Sequence, residues 1–324
     1  MIPAGHERSL LRAEIAGAVV NFVANLFVIP RFSIEGAAAT TVLSEIVVTI
    51  WCFIAAKREL EMDFGLPLVK KVMRRVGRLI SVVFIKIRSR LKGEKLPFYC
   101  PCCGVHFNEF MDGDYTDSPE YFNPERYVGL DQKVVCPCCG SLNRHRILAL
   151  WMEAHIDELR GKKILHFAQE HSLQMWMAKN GISATTADLY APADLQLDIE
   201  DTKLPDESYD VIICNHVLEH VSDFRKALRE LHRIVVPDGM IIISFPTDTK
   251  LETVYEDASI TDEEGRIKHF GQSDHLRVFG RDSASMLASF GFEVEEITSD
   301  DARIMPVVGP ADYDYNVLWL LRKK

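Results

Sequence analysis

The chain reads as an α/β protein built on a parallel sheet, and three observations predict it. Val211-Ile212-Ile213-Cys214 is a short unbroken apolar run, the pattern of a strand buried on both faces. From Phe224 onward, Ala227, Leu228, Leu231 and Ile234 recur at helical spacing, with Arg225, Lys226, Arg229 and Glu230 on the other side. Pro237-Asp238-Gly239 then stops the helix and turns the chain, and Met240 to Phe245 is a second apolar strand. Strand, helix and strand in this order make one βαβ unit, whose natural host is a parallel sheet with right-handed crossovers.

A chain of 324 residues suggests two or three units. Its charge is uneven: residues 1–95 carry a net +7 and the remainder a net −17. A basic first third on an acidic body predicts membrane contact by that third. The acidic body argues against a nucleic-acid partner, because phosphate binding needs a positive footprint.

Residues 13 to 56 are the least polar part. Ile15 to Pro30 and Gly36 to Ala56 are two apolar runs, and the second matches the roughly 20 residues a bilayer requires. Asn21, Asn25 and Glu45 would be costly facing lipid, so they imply contact within the hairpin or with a partner helix. A buried soluble hairpin is the alternative. Arg8 and Arg12 precede the runs and Lys57 and Arg58 follow them, which places both ends on the cytoplasmic side. From Val69 to Leu91, Val72, Met73, Val76, Leu79, Ile80, Val83 and Ile87 keep helical spacing beside a crowd of Lys and Arg. This is the pattern of a basic amphipathic helix lying on an anionic leaflet, or of an ordinary solvated basic face.

Cys100-Pro-Cys-Cys-Gly104 and Cys136-Pro-Cys-Cys-Gly140 are two copies of one knuckle, with 32 residues between Cys103 and Cys136. In each, Pro and Gly shape a tight turn that presents two thiolates. Cys100, Cys103, Cys136 and Cys139 suit a closed, structural Zn²⁺ site, with Cys102 and Cys138 as neighbours. Thiols used this way point to a reducing compartment, and Cys52 and Cys214 read as buried hydrophobes. Ser141 to Ile156 is a predicted helix with Arg144-His145-Arg146 in its first turns, where the cations face either an anionic substrate or solvent.

Several of these residues resemble a known family. Asp210, Leu218-Glu219-His220, Ala227-Leu228 with Glu230 and Arg233, and Pro237 with Gly239 resemble the second half of class I S-adenosylmethionine (SAM) methyltransferases. The resemblance implies a doubly wound, Rossmann-like methyltransferase sheet, mostly parallel with an antiparallel last strand. It implies SAM as cofactor and methyl transfer as the reaction. In such a sheet Lys163 to Ala168 is the first strand. Family members carry an acid and a G-x-G loop there, whereas this chain has His166, Ala168, Glu170 and Ser172. Glycine lets backbone NH groups approach the methionine end of SAM, so the departure bears on the cofactor. An L-H-x-A-x-E form nevertheless resembles one branch of bacterial methyltransferases, including members with a preceding cysteine knuckle.

The same frame assigns cofactor contacts to His166, Ala168, Glu170, Asp188, Asp198, Ile199 and Asn215. Asp188, ending the second strand, would accept from the ribose diol. Asp198 would hold the adenine amino group and Ile199 would cover the adenine face. His216 and His275 are the candidate bases for an acceptor hydroxyl. Glu219 and His220 are expected to secure the following helix, and His269 and Arg277 stand near the substrate loop that Thr247 to Gly271 should form. His216-x-x-Glu219-His220 also fits an inverted zinc-peptidase motif, but that motif needs a helix and here it follows a strand. Helix Asp282 to Phe290 and strands Phe292 to Ile297 and Tyr313 to Leu321 complete the reading.

Asn21, Asn25, Ile29-Pro30-Arg31, Gly36-Ala37-Ala38, Thr40 and Ser44-Glu45 resemble the last helices of polysaccharide flippases. That implies an anchor or docking element at the cytoplasmic face of a bacterial inner membrane, a polysaccharide-export partner and a glycan or lipid-linked sugar acceptor. The expected domains are 1–60 (transmembrane hairpin), 61–95 (basic linker helix), 96–145 (zinc ribbon) and 146–324 (methyltransferase). The alternative function is a catalytically inactive scaffold of the same fold, or an accessory of an export assembly.

Overall fold

The apolar runs at 164–167, 209–215 and 235–244 become neighbouring central strands of a seven-stranded sheet in the computed structural model of the protein. The structure describes residues 15, 18, 19, 21–23, 25, 44, 48, 66–112, 133–248, 250–299, 303 and 317–324. The chain divides into two units, Met1–Leu91 and Lys92–Lys324.

In the first unit the described residues between 15 and 48 are helical. Asn21 Nδ2 donates to Ser44 Oγ at 3.2 Å, and Asn25 Nδ2 donates to Asn21 Oδ1. Of the three polar residues expected to be costly against lipid, Asn21 meets the second apolar run and Asn25 meets Asn21, while Glu45 lies outside the described residues. Most of both runs lies outside the described residues. Helix α1 covers Leu66–Lys92, where the sequence predicts the basic amphipathic helix. Among the described residues no helix is long and apolar enough to cross a membrane.

The second unit begins with two short antiparallel pairs, β1 (Phe98–Cys100) with β2 (Val105–Phe107) and β3 (Met111–Asp112) with β4 (Lys133–Val135). Each knuckle follows a strand, and Gly104 and Gly140 turn it at φ 71° and 75°. Such left-handed backbone favours glycine. Helices α2 (Asn143–Ala154) and α3 (Ile156–Leu159) lead into the sheet. There β5 (Ile164–Phe167), α4 (His171–Asn180), β6 (Ala184–Asp188) and β7 (Leu195–Gln196) run to one side. The chain then returns to β8 (Tyr209–Asn215), α5 (Phe224–Ile234) and β9 (Val235–Ser244) on the other.

The strand order is β12-β13-β9-β8-β5-β6-β7, with β12 (Phe292–Ile297) and β13 (Leu318–Lys323) last in sequence. Pairings from β9 to β7 are parallel, while β13 runs antiparallel to both neighbours. The sheet is therefore doubly wound and mostly parallel, with an antiparallel last strand. Its winding reverses between β5 and β8, and ligands of such sheets bind in the crevice outside the strand ends at that point.

Helix α5 shows how the sequence fixes this core. Phe224, Ala227, Leu228, Leu231 and Ile234 are fully buried. The four large ones contribute roughly 1.5–3 kcal/mol each. Asp223 caps the helix, its carboxylate accepting from Arg225 N at 2.9 Å and Lys226 N at 3.1 Å. The helix does not end at Pro237 as its sequence suggests. It stops at Ile234, and Val235 already pairs with Tyr209 before Met240 pairs with Val211. Pro237-Asp238-Gly239 is thus a bulge inside β9, with Asp238 at φ 59°. A Cβ on Gly239 would lie 2.8 Å from Val236 O and 2.9 Å from Asp210 O, so glycine is required by space.

Other boundaries shift too. Thr247 to Gly271, expected to be irregular, contains β10 (Tyr255–Glu256) and α6 (Glu263–Phe270), capped by Asp262 and ended by Gly271 at φ 89°. β10 pairs with β11 (Arg277–Val278), and α7 is confined to Ser283–Ala288. The last strand begins at Leu318, with 313–316 outside the described residues.

Candidate functional site

The carboxyl ends of β5, β6 and β8 bring together most of the residues the sequence singles out. After β5 the chain turns at Ala168, whose φ of 46° is left-handed. A side chain pays a conformational cost there, which is why glycine is the ordinary choice. Ala168 N donates to Ala187 O at 2.8 Å and extends the β5–β6 ladder by one bond.

His166 is fully buried on β5, and both ring nitrogens are engaged. Gln174 Nε2 donates to its Nδ1 at 3.0 Å, so Nε2 carries the proton and meets Glu170 Oε2 at 2.8 Å. A second imidazole mirrors it. Leu142 N and Ser172 Oγ donate to His145 Nδ1 at 3.1 and 3.2 Å, leaving His145 Nε2 3.3 Å from Glu170 Oε1. Burial pushes the Glu170 carboxyl up, but His145 and His166 outweigh it and hold the group well below the carboxylate range. Glu170 is therefore the centre of a His–Glu–His bridge joining α2 to the loop after β5. As a cofactor contact His166 offers no free ring atom, and Glu170 has one oxygen, Oε1, without a hydrogen bond.

Asp188 ends β6 as expected, and its carboxylate shapes the loop that follows. Tyr190 N and Ala191 N both donate to its Oδ1, at 2.8 and 2.6 Å, and Oδ2 takes neither bond. Gln169 Nε2 donates to Pro192 O at 2.9 Å and ties the loops after β5 and β6 together. Asp198 is exposed, with Oδ1 accepting from Glu200 N at 2.8 Å. Ile199 is only 5% exposed and belongs to the core cluster, so its side chain is packed rather than open to a ligand.

At the end of β8, Ser244 Oγ donates to Asn215 Oδ1 at 3.0 Å, whereas the buried Asn215 Nδ2 has no partner. His216 follows at φ 52°. Its Nδ1 lies 3.0 Å from Glu219 Oε1, and its Nε2 is buried without a hydrogen bond. Burial lowers the His216 pKa first, and Arg144 adds to this, so the ring is neutral and able to accept a proton. Arg144 Nε and Gln169 Oε1 are also buried and unpartnered. Buried polar atoms nearly always find partners, so these orphans, on the first turn of α2 and on the loops after β5 and β8, are atoms that a polar ligand would satisfy.

His275 lies on the segment before β11, 3% exposed, with Nδ1 3.3 Å from Phe270 O. Burial pushes its pKa down to about 4. Glu219 and His220 do not secure α5, which Asp223 caps. Glu219 is instead fully buried beside three histidines. Burial raises its carboxyl, yet His216 first, then His220 and His275, hold it at about 2. Arg277 is no substrate cation either. Its guanidinium donates to Leu218 O, Val221 O and Ser222 O at 2.7, 2.5 and 3.0 Å and to Glu256 Oε2 at 3.1 Å, clamping the loop after β8. His269 Nδ1 pairs with Tyr255 OH at 2.8 Å.

The cysteine knuckles close on each other. Cys100 Sγ lies 3.7 Å from Cys139 Sγ, and Cys103 Sγ 3.9 Å from Cys136 Sγ. Four sulfurs about 2.3 Å from a central ion would stand about 3.8 Å apart in a tetrahedron, so the donor set fits Zn²⁺. Cys102 turns away, donating to His145 O at 3.3 Å, and the Cys138 amide donates to Cys136 Sγ at 3.4 Å. Arg146, fully buried, is neither a substrate cation nor solvated. It donates to Ser141 O and Val134 O at 2.5 and 2.9 Å and to Asn143 Oδ1, and lies 4.4 Å over the Phe110 ring. Arg144 and His145 belong to the basic turn that the sequence already marks, whereas Gln169 and Asp274 carry no sequence signal, because Gln169 meets Pro192 and Asp274 meets His220 only in the fold.

Residues 172–243 match the family model described as a methyltransferase domain. A segment of 44 residues, 14% of the chain, is 41% identical to the uncharacterized methyltransferase YcgJ of Bacillus subtilis, and the match spans only 17% of that protein. Among solved structures, a SAM-dependent methyltransferase from Mesorhizobium loti is similar at 16% identity and a TM-score of 0.39, covering 55% of this chain and 98% of that one. The Burkholderia thailandensis 1,6-didemethyltoxoflavin-N1-methyltransferase, solved with S-adenosylhomocysteine, is similar at 15% identity and a TM-score of 0.38, covering 56% and 78%.

Proposed function

We propose that the protein is a SAM-dependent methyltransferase, with the cofactor at the β5–β8 reversal point. The observation that carries this reading is the unpartnered, buried Asn215 Nδ2 at the end of β8, in the crevice where the winding reverses. The methyltransferase-domain match over residues 172–243 supports it. Asp188, with Oδ2 outside its own turn, would accept from the ribose diol, and Asn215 Nδ2 and Arg144 Nε would donate to the amino-acid end. Bound SAM supplies an activated methyl group, so the chain's task is mainly alignment of donor and acceptor. His216, neutral and with an unpartnered Nε2, is suited to take the acceptor's proton.

We further read the four-cysteine cluster as a structural Zn²⁺ site, on the sulfur spacing given above. The acceptor we favour is a hydroxyl of a sugar or lipid-linked glycan at the cytoplasmic face of the inner membrane. That choice rests on the flippase resemblance of the amino-terminal segment and on the Asn21–Ser44 bond.

Calorimetry with SAM tests the reading. Wild-type protein should bind in the micromolar range. Asp188→Asn, which keeps an oxygen for Tyr190 N and Ala191 N, should bind at least ~10-fold more weakly through loss of charge-assisted hydrogen bonding. No heat of binding at millimolar SAM from folded wild-type protein would refute the proposal and favour an inactive scaffold. A mass-shift screen of glycan acceptors then tests the substrate class.

A further inference from the structure

We infer that Glu219, His220 and His275 form a second metal site, distinct from the cysteine cluster, for a divalent first-row transition ion. One ligand atom from each of the three lies within 4.8 Å of the others. Two histidines and one carboxylate form a facial donor set that leaves coordination positions open, in contrast to the closed four-sulfur cluster.

Three further observations support the assignment. The first is Glu219 itself: its side chain is fully buried, and neither oxygen has a hydrogen-bond partner. His216 Nδ1 approaches Oε1 to 3.0 Å but falls short of hydrogen-bond geometry. A buried carboxylate without donors is costly, and a doubly charged cation removes that cost. The second is the orientation of the rings. His220 Nδ1 lies 3.3 Å from Asp274 Oδ2, and His275 Nδ1 lies 3.3 Å from the Phe270 carbonyl. The carbonyl contact fixes the His275 proton on Nδ1 and leaves that ring's lone pair on Nε2, and the ion pair with Asp274 engages His220 Nδ1 on the side away from Glu219, leaving Nε2 toward it. This is the arrangement in which a carboxylate or backbone carbonyl orients a metal-ligating imidazole. His220 Nε2 is 4.0 Å from Glu219 Oε1, and the two rings stand edge to face with centroids 4.7 Å apart.

The third observation is rigidity. Arg277 clamps the carbonyls of Leu218, Val221 and Ser222, and Leu276 N donates to Glu219 O at 2.8 Å. The two ligand segments, 219–220 and 275, are thereby locked together by the backbone. Such preorganisation serves a constellation that must keep its geometry. A site that only needed a buried histidine pair would not call for an unpaired carboxylate at its centre.

The site begins four residues beyond the end of β8. An ion held there would lower the pKa of a coordinated hydroxyl. It therefore fits an acceptor with an ionisable, metal-coordinating group better than a ring carbon. That inference about the acceptor rests on the methyl-transfer reading, whereas ion binding does not.

Mn²⁺ is the probe, because it is a hard ion that avoids the thiolates. Full-length protein with zinc already in the cysteine cluster is titrated with Mn²⁺ without SAM, following loss of the free-ion electron paramagnetic resonance signal. One Mn²⁺ per chain should bind. Glu219→Gln should abolish binding, and Asp274→Asn, at an exposed position, should weaken it ~10-fold or more while the circular dichroism stays native. The Asp274 variant decides the matter if Glu219→Gln does not fold. Absence of Mn²⁺ binding by folded wild-type protein, or unchanged affinity in either folded variant, would overturn the proposal. SAM calorimetry on the same sample reads the reaction proposal separately, so either can fail alone.

Discussion

Replacing Arg146 by methionine is the most direct probe of how the cysteine module is joined to the sheet. The guanidinium spans three chain segments: Val134 on the strand before the second knuckle, Ser141 just after it, and Asn143 at the start of α2. Its removal leaves two backbone carbonyls and one amide oxygen without this donor. Each charge-assisted hydrogen bond is worth roughly 1.5–3 kcal/mol net. Methionine refills the space over Phe110 and spares the burial of a charge, which offsets part of the loss. The net destabilisation should be about 3 kcal/mol. For a unit the size of Lys92–Lys324, 1 kcal/mol moves Tm by about 2–4 °C, so the midpoint should fall by ~6–12 °C. Thermal melting gives the shift, and in protein loaded with Zn²⁺ a colorimetric chelator tests the proposed site, where release should be faster because Cys136 and Cys139 lie between the loosened segments. A variant that melts within about 2 °C of wild type and holds zinc equally long would refute the view that Arg146 fastens the knuckle.

Two further outcomes follow from local geometry. Arg233 and then Thr202 hold the Glu230 carboxyl at about 2, below its unfolded value. A depressed folded pKa adds stability above about pH 4.5, and this is lost as pH falls through about 2. Because Arg233 is a third exposed, the effect is screened to about 1–2 kcal/mol. Urea midpoints of wild type and Glu230→Gln should therefore differ near neutrality and converge in acid, and a constant difference would exclude the linkage. Ala168→Gly relieves the left-handed backbone at φ 46° and should leave stability unchanged or raise it by up to about 1 kcal/mol, as read by chemical denaturation. A clear loss of stability would mean that the Ala168 methyl packs usefully.

Much of the fold was legible because it is written in local periodicity. Helix α5 falls at Phe224–Ile234, and β12 at Phe292–Ile297, where apolar spacing puts them. The two knuckles are likewise local, since each supplies its own turn and two sulfurs. The bulge in β9 was not legible: Pro237 and Gly239 look like a helix stop, and only pairing with Tyr209 and Val211 turns them into a strand irregularity. Nor were the roles of Arg146, Arg277 and Glu170, whose partners stand on other elements.

The sequence by itself determined the parallel α/β class, the basic first third and acidic remainder, the paired cysteine turns and Asp188 at the end of a strand. These depend on spacing within a few residues, which the chain fixes before it folds. Tertiary structure alone decided which charged groups are spent internally and which remain unpartnered. His166 is consumed by Glu170, while Asn215 Nδ2, His216 Nε2 and both oxygens of Glu219 are left without hydrogen bonds. Whether a buried polar atom has a partner depends on segments tens of residues apart meeting at one sheet edge, and no local pattern encodes that meeting.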